Sequence, residues 1–185
     1  MAKIKTLSPD VVAKIAAGEV VERPASVVKE LLENALDAQS ASVKVEVLGS
    51  GRKLIRVTDD GEGMTGEEVL QAIQSHTTSK IESLEDLFSL RTFGFRGEAL
   101  ASISAVSRVR ITTRKEGQLS GNEVRVEGGT LCHAGETGCP SGTSVEVRDL
   151  FFNVPARLKF LKSPGTELGH ISEILAKAAL ANPRT

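Results

Sequence analysis

Glu30, Asn34 and Asp37 sit in a stretch, Ala25 to Ala38, whose apolar spacing predicts a helix. At about 100° per residue the three fall within roughly 60° of one another, with Val28, Leu31, Leu32, Ala35 and Leu36 on the opposite face. A carboxylate there can take a proton from water, and an amide oxygen one turn away can hold a hard cation. The stripe has no Lys or Arg between its acids, although a plain amphipathic helix turning its polar side to solvent explains the same pattern. A second group is Asp59-Asp60-Gly61-Glu62-Gly63-Met64, at the end of an apolar alternation. A carboxylate at a strand end can accept a hydrogen bond from an exocyclic amine, and glycines let a flat ring approach the backbone; an ordinary turn has the same composition. Third come Thr77-Thr78-Ser79-Lys80 and Phe93-Gly94-Phe95-Arg96-Gly97-Glu98-Ala99-Leu100, where glycines opening a helix expose amides to an anion and hydroxyls and a Lys add donors. A surface loop with Phe93 and Phe95 in the core is the bland alternative. No G-x-x-x-x-G-K-[ST] run occurs, so a phosphate cradle here is not a Walker loop. Fourth, Thr143 stands at the start of a strand signal, Gly142 to Val147.

The elements that must position these groups follow from the flanking pattern. A first helix is expected with Ser8 as N-cap, Pro9 in its first turn and Gly18 just past its end. Pro24 leads into the second helix. Val43, Val45 and Val47 predict a strand, Gly49-Ser50-Gly51 a turn, and Leu54 to Thr58 an antiparallel partner. Thr65 and Glu68 form a capping box for a short helix to about Gln74. Ser83 with Asp86 hints at another. The stretch from His76 to Leu100 is mostly polar, and one that long with little periodicity is more often functional than idle. Further strands are expected around 106–113, 123–126 and 144–147, then a helix from about Glu167 with Leu168, Ile171, Leu175 and Ala178 at helical spacing. Helices early and hairpin-linked strands after them predict an α/β two-layer sandwich, helices on one face of a mixed, largely antiparallel sheet.

Bulk properties narrow the function classes. The chain has 185 residues, 40% hydrophobic and 25% charged, with net charge −1, so no global basic field favours nucleic acid. Six Phe without Trp or Tyr leave little for a base-stacking platform. Cys132 and Cys139 flank a Gly-rich turn and are expected as thiols; with His133 they match no zinc spacing. No signal peptide or membrane-length apolar run occurs, which predicts a soluble cytoplasmic protein.

Taken together and in this order, E-x-x-x-N on a helix, D-x-G-x-G after a strand, a Gly-rich lid and Gly-Thr before a late strand resemble the GHKL ATPase superfamily of gyrase B, Hsp90, histidine kinases and MutL. Within it the resemblance to the MutL family of DNA mismatch repair proteins spans nearly the whole chain. It is carried by Ile15 to Ala25, Lys29 to Ala38, Thr77 to Ile81, Gly94 to Leu100 and Asp149 to Arg157, the last with a bacterial wording. The resemblance implies the Bergerat ATP-binding fold over 1–185, without the second lobe and C-terminal dimerisation domain of the family. It implies ATP and Mg²⁺ as cofactors, Glu30 as the base that activates water, and Asn34 as the Mg²⁺ ligand. Asp59 would take the adenine amine, with Gly63 under the ring and Thr143 in support. Asp37, Ala38 and Met64 join them, while Thr78, Ser79, Lys80, Gly94, Phe95, Arg96, Gly97, Glu98, Ala99 and Leu100 close over the phosphates as a mobile lid. Weak hydrolysis is expected, because the family's phosphate-reaching Lys belongs to the second lobe. A nucleotide-dependent homodimer exchanging the arm before Ser8, mismatch-recognition and other repair proteins, and weak non-specific DNA contact are the implied partners.

Rival readings have distinct requirements. A histidine kinase wants a His-bearing dimerisation helix upstream, and residues 1–20 hold no His. A non-catalytic nucleotide-gated module has no need of Glu30. Direct DNA binding would use Arg108, Arg110, Arg114 and Lys115, or Arg148, Arg157, Lys159 and Lys162, although solvated charge on strand and helix edges is the better reading of both clusters.

Overall fold

The computed structural model of the chain describes residues 17, 18, 20–74 and 97–185. Helix α1, Pro24–Asp37, starts on its proline, whose missing N–H costs nothing in a first turn. Strands β1, Val43–Leu48, and β2, Leu54–Asp59, are joined through a short 3₁₀ turn, Gly49–Gly51. Helix α2, Gly66–Ala72, opens on the expected capping box: the Thr65 hydroxyl accepts from Glu68 N and the Glu68 carboxylate accepts from Thr65 N. Helix α3, Ala99–Ala105, leads into β3, Arg108–Arg114, β4, Gly121–Glu127, β5, Thr130–Thr137, and β6, Gly142–Arg148. Helices α4, Pro155–Phe160, and α5, Pro164–Ala181, follow.

The strands form one sheet in the order β1-β2-β6-β3-β4-β5, and every neighbouring pair is antiparallel, so the sheet described is not mixed. Register aligns Val45, Val57, Val145, Ile111 and Val124 in one row and Val47, Ile55, Val147, Val109 and Val126 in the next. Apart from Val45 and Val47, which are partly buried and pack against it, both rows join Val27, Val28, Leu31 and Ala35 of α1 in a single core cluster. Full burial of each such side chain contributes about 1.5–3 kcal/mol. The face toward α1 is thereby fixed, and the opposite sheet face carries Lys44, Glu46, Arg56, Glu146, Arg110 and Arg148 in alternating sign. Arg56 bridges Glu46 and Glu146, and Arg148 joins Glu146.

Several sequence expectations need correction. Ala17, Gly18 and Val20 all have helical backbone, so Gly18 lies inside the first helix rather than past its end. The reason is close packing: a Cβ on Gly18 would come within 1.6 Å of the Arg157 guanidinium, which donates to Val21 O at 3.1 Å. Ser8, Pro9 and the arm before them, and the Ser83–Asp86 signal, lie outside the described residues. β5 is a strand where a Gly-rich turn was expected; Cys132 and Gly135 lie within it, and both Cys132 and Cys139 are free thiols. Helix α5 begins three residues before the expected start, at Pro164 behind the Ser163 cap, and Leu168 is 43% exposed while Ile171 is buried. On α1, Leu36 is half-buried and Val27 takes its place in the core.

Candidate functional site

The base of the site is one row of the sheet. β2 ends at Asp59, which pairs across to Thr143 on β6, and Thr143 pairs across to Thr113 on β3. Asp59 Oδ1 accepts from Gly61 N at 2.9 Å and from Thr143 N at 3.3 Å. Its other carboxylate oxygen has no hydrogen bond among the described residues. Burial pushes the Asp59 carboxyl above the usual aspartate range; the Gly61 and Thr143 amides pull it back in part, and neighbouring Asp60 adds repulsion. Thr113 is fully buried, donates to Gly142 O at 3.1 Å, and accepts from Met64 N at 2.9 Å. In the 2.9 Å contact between the Thr113 and Thr143 hydroxyls either oxygen can be the donor. The row presents the second Asp59 carboxylate oxygen as an acceptor beside the Thr143 hydroxyl, which can donate or accept.

Gly63 closes the base. Its φ is +69°, and a Cβ there would come within 2.2 Å of Arg114 O. The turn therefore packs directly on the backbone of β3, an approach that only glycine allows.

The second wall is α1, and it is tied to the first. Glu62 N donates to Ala38 O at 3.1 Å, so the turn after β2 is fastened to the C-terminal end of α1. Glu30, Asn34 and Asp37 are all half-buried, on a helix whose other face is core. From Glu30 to Asp37 the stripe covers about 10 Å of helix axis. A cation does stand beside it: Lys29 Nζ lies 3.7 Å from Glu30 Oε1 and 3.2 Å from Glu33. The absence of Lys from the stripe therefore does not mean that Glu30 is remote from one. Among the described residues no three His, Cys, Asp or Glu side chains gather into a metal cage.

The third part is described only at its end. Gly97 has φ +61°, and Glu98, Ala99 and Leu100 start α3, with Ser102 N donating to Glu98 O at 2.8 Å. Thr78, Ser79, Lys80, Gly94, Phe95 and Arg96 lie outside the described residues.

Thr113, and the pairing of the basic clusters, escaped sequence reasoning. Thr113 looks like any strand threonine; its partnership with Thr143 and Met64 depends on a register between β3 and β6 that local pattern does not reveal. The arginines of the two basic clusters are engaged: Arg108 with Glu127 and Asp149, Arg110 with Glu123, Arg114 with the Cys139 and Gln118 carbonyls, Lys115 with Glu68, and Arg148 with Glu146. Arg157 is turned inward, onto Val21 O and over the Phe151 ring. Lys159 and Lys162 are exposed.

Residues 22–130 match the family model described as "Histidine kinase-, DNA gyrase B-, and HSP90-like ATPase". Among curated proteins, the DNA mismatch repair protein MutL of Symbiobacterium thermophilum is 60% identical over 183 residues, 99% of this chain and 29% of that protein. The MutL protein of Geotalea daltonii is 55% identical over 181 residues, 98% of this chain and 30% of its own length. The chain thus spans about a third of the curated relatives it matches. Among solved structures, the Aquifex aeolicus MutL ATPase domain complexed with ADP superposes with a TM-score of 0.70 at 39% identity, covering 90% of this chain and 58% of that one. With the Asp59–Thr143–Thr113 row and the α1 stripe in place, the chain belongs to the histidine kinase-, DNA gyrase B- and HSP90-like ATPase family, on its MutL branch.

Proposed function

We infer that the chain binds ATP with Mg²⁺ and hydrolyses it, as the nucleotide-gated switch of a bacterial, cytoplasmic MutL-type mismatch repair protein. The observation that carries this is the strand-end pair of Asp59 and Thr143, tied through the Glu62–Ala38 hydrogen bond to the helix that bears the half-buried Glu30, Asn34 and Asp37. Asp59 accepts the adenine amine, Thr143 supports that network, and Gly63 lies under the ring. Asn34 holds Mg²⁺ through its amide oxygen; when bound, the ion neutralises charge on the phosphates. Glu30 orients the attacking water and receives its proton, while Asp37, Ala38 and Met64 line the pocket between. Gly97, Glu98, Ala99 and Leu100, with Thr78, Ser79, Lys80, Gly94, Phe95 and Arg96, close over the triphosphate and exclude water. Phosphoryl transfer asks chiefly for such positioning and charge neutralisation.

The 185 residues form one ATP-binding lobe in this reading. Hydrolysis by them alone is slow, since the family resemblance puts a phosphate-reaching Lys in the part of the longer relatives beyond this match. In the whole protein, nucleotide binding drives homodimerisation and engagement of mismatch-recognition and other repair proteins. DNA contact is weak and non-specific, as expected of a face whose arginines are already paired. Single-turnover hydrolysis tests the assignment: Glu30→Ala should slow the chemical step by about 10²–10⁴-fold with nucleotide affinity little changed. Equal rates in the two proteins would remove Glu30 from its role.

A further inference from the structure

The outer edge of the sheet, away from Asp59 and α1, combines an open strand with a groove. β5 pairs with β4 on one side and has no neighbour on the other among the described residues. All of it but Thr137 is exposed. Such edges offer unpaired backbone N–H and C=O groups, and proteins ordinarily blunt them with Lys, Pro or a bulge. Thr130–Thr137 holds neither Lys nor Pro. A register shift falls between Arg125 and Val126, opposite Leu131 to His133, so it disturbs only the first half; from His133 to Thr137 the pairing is regular.

Beside that regular half runs a groove of about 590 Å³ between α2 and the outer strands. Gly66, Val69 and Leu70 of α2 form one wall, and Val124, Ala134 and Gly135 the floor. Glu67 and Glu136 also line it, both exposed. Neither has an ion-pair partner among the described residues, whereas Glu46, Glu68, Glu127 and Glu146 each hold an Arg or Lys. The groove is thus apolar below and negatively charged at its rim, next to a strand ready to accept another.

We propose that α2 and β5 form a docking groove for an extended peptide segment of a partner protein, added as a strand to β5, with alternate apolar side chains in the groove and Lys or Arg toward Glu67 and Glu136. Strand addition supplies main-chain hydrogen bonds, and the period of two sends every second side chain into the groove. A helix cannot pair with the β5 edge. A second copy of this chain fits poorly, because it would bring two sets of unanswered carboxylates together and β5 carries no Lys or Arg of its own.

The test is selection of random twelve-residue peptides displayed against the 185-residue chain, followed by titration of the selected peptides and hydrogen exchange of the complexes. Selected sequences should alternate apolar residues with an excess of Lys or Arg, and slow exchange at His133 to Thr137. Glu67→Lys with Glu136→Lys should weaken them at least about tenfold. Ala134→Trp, at an exposed position, should abolish binding while nucleotide affinity is unchanged. Failure to select above scrambled controls, acidic or non-alternating sequences, binding indifferent to both variants, or protection elsewhere would overturn the proposal. A concentration-dependent dimer lost in Ala134→Trp would overturn it too, by assigning the groove to a second copy.

Discussion

Asp59 is strained electrostatically by the same burial that makes it useful. Because its carboxyl is held above the usual range, the folded chain keeps that proton to higher pH than the unfolded chain does. Stability therefore falls as pH rises through the window just above the ordinary aspartate value, and Asp59→Asn should flatten that slope in denaturant titrations. Ligand binding has the opposite sign, since only the ionised carboxylate accepts fully from an amine. Affinity for a non-hydrolysable ATP analogue should drop on mild acidification, at a higher pH than an ordinary aspartate would give. Asp59→Asn should weaken binding and remove that dependence, measurable by titration calorimetry. Thr113 makes a sharper stability prediction. Thr113→Val leaves the Met64 N–H without its acceptor and the Gly142 carbonyl without its donor, at a cost of about 1–3 kcal/mol in thermal melts. Thr113→Ser keeps the hydroxyl and should recover most of it.

At the scale of elements, what was legible was what short-range pattern encodes. The α1 stripe, the β1–β2 hairpin and the α2 capping box each depend on spacing within a few residues, and each is present. β5 was invisible because an exposed edge strand needs no apolar alternation, and Thr130–Thr137 shows none. Asp59, Gly63 and Thr143 could be named from motif and resemblance, but their joint geometry comes from the β2–β6–β3 register, set by contacts far apart in sequence. The paired arginines illustrate the same limit: a basic run in sequence becomes an alternating ladder once strands are aligned. Glu146 sits at its centre, with burial raising its carboxyl pKa and Arg148 and Arg56 together outweighing that to hold it below the usual range. Its contribution is thus present above the unfolded-state pKa and lost as pH falls through the lower folded value. Glu146→Gln should destabilise the sheet by about 1.5–3 kcal/mol at neutral pH, the deficit shrinking in acid melts.

Across the whole molecule, the Glu62–Ala38 hydrogen bond joins the strand-end row of Asp59, Thr143 and Thr113 to the helix that carries Glu30, Asn34 and Asp37. The relatives are about three times longer, so turnover by a two-lobed protein should exceed turnover by these 185 residues under matched steady-state assays. The most direct test of the central claim is a crystal structure with a non-hydrolysable ATP analogue and Mg²⁺. The adenine amine is predicted on Asp59, the ring over Gly63, the ion at Asn34, and a water between Glu30 and the terminal phosphate. Nucleotide bound elsewhere, with Glu30, Asn34 and Asp37 facing bulk solvent, would contradict it.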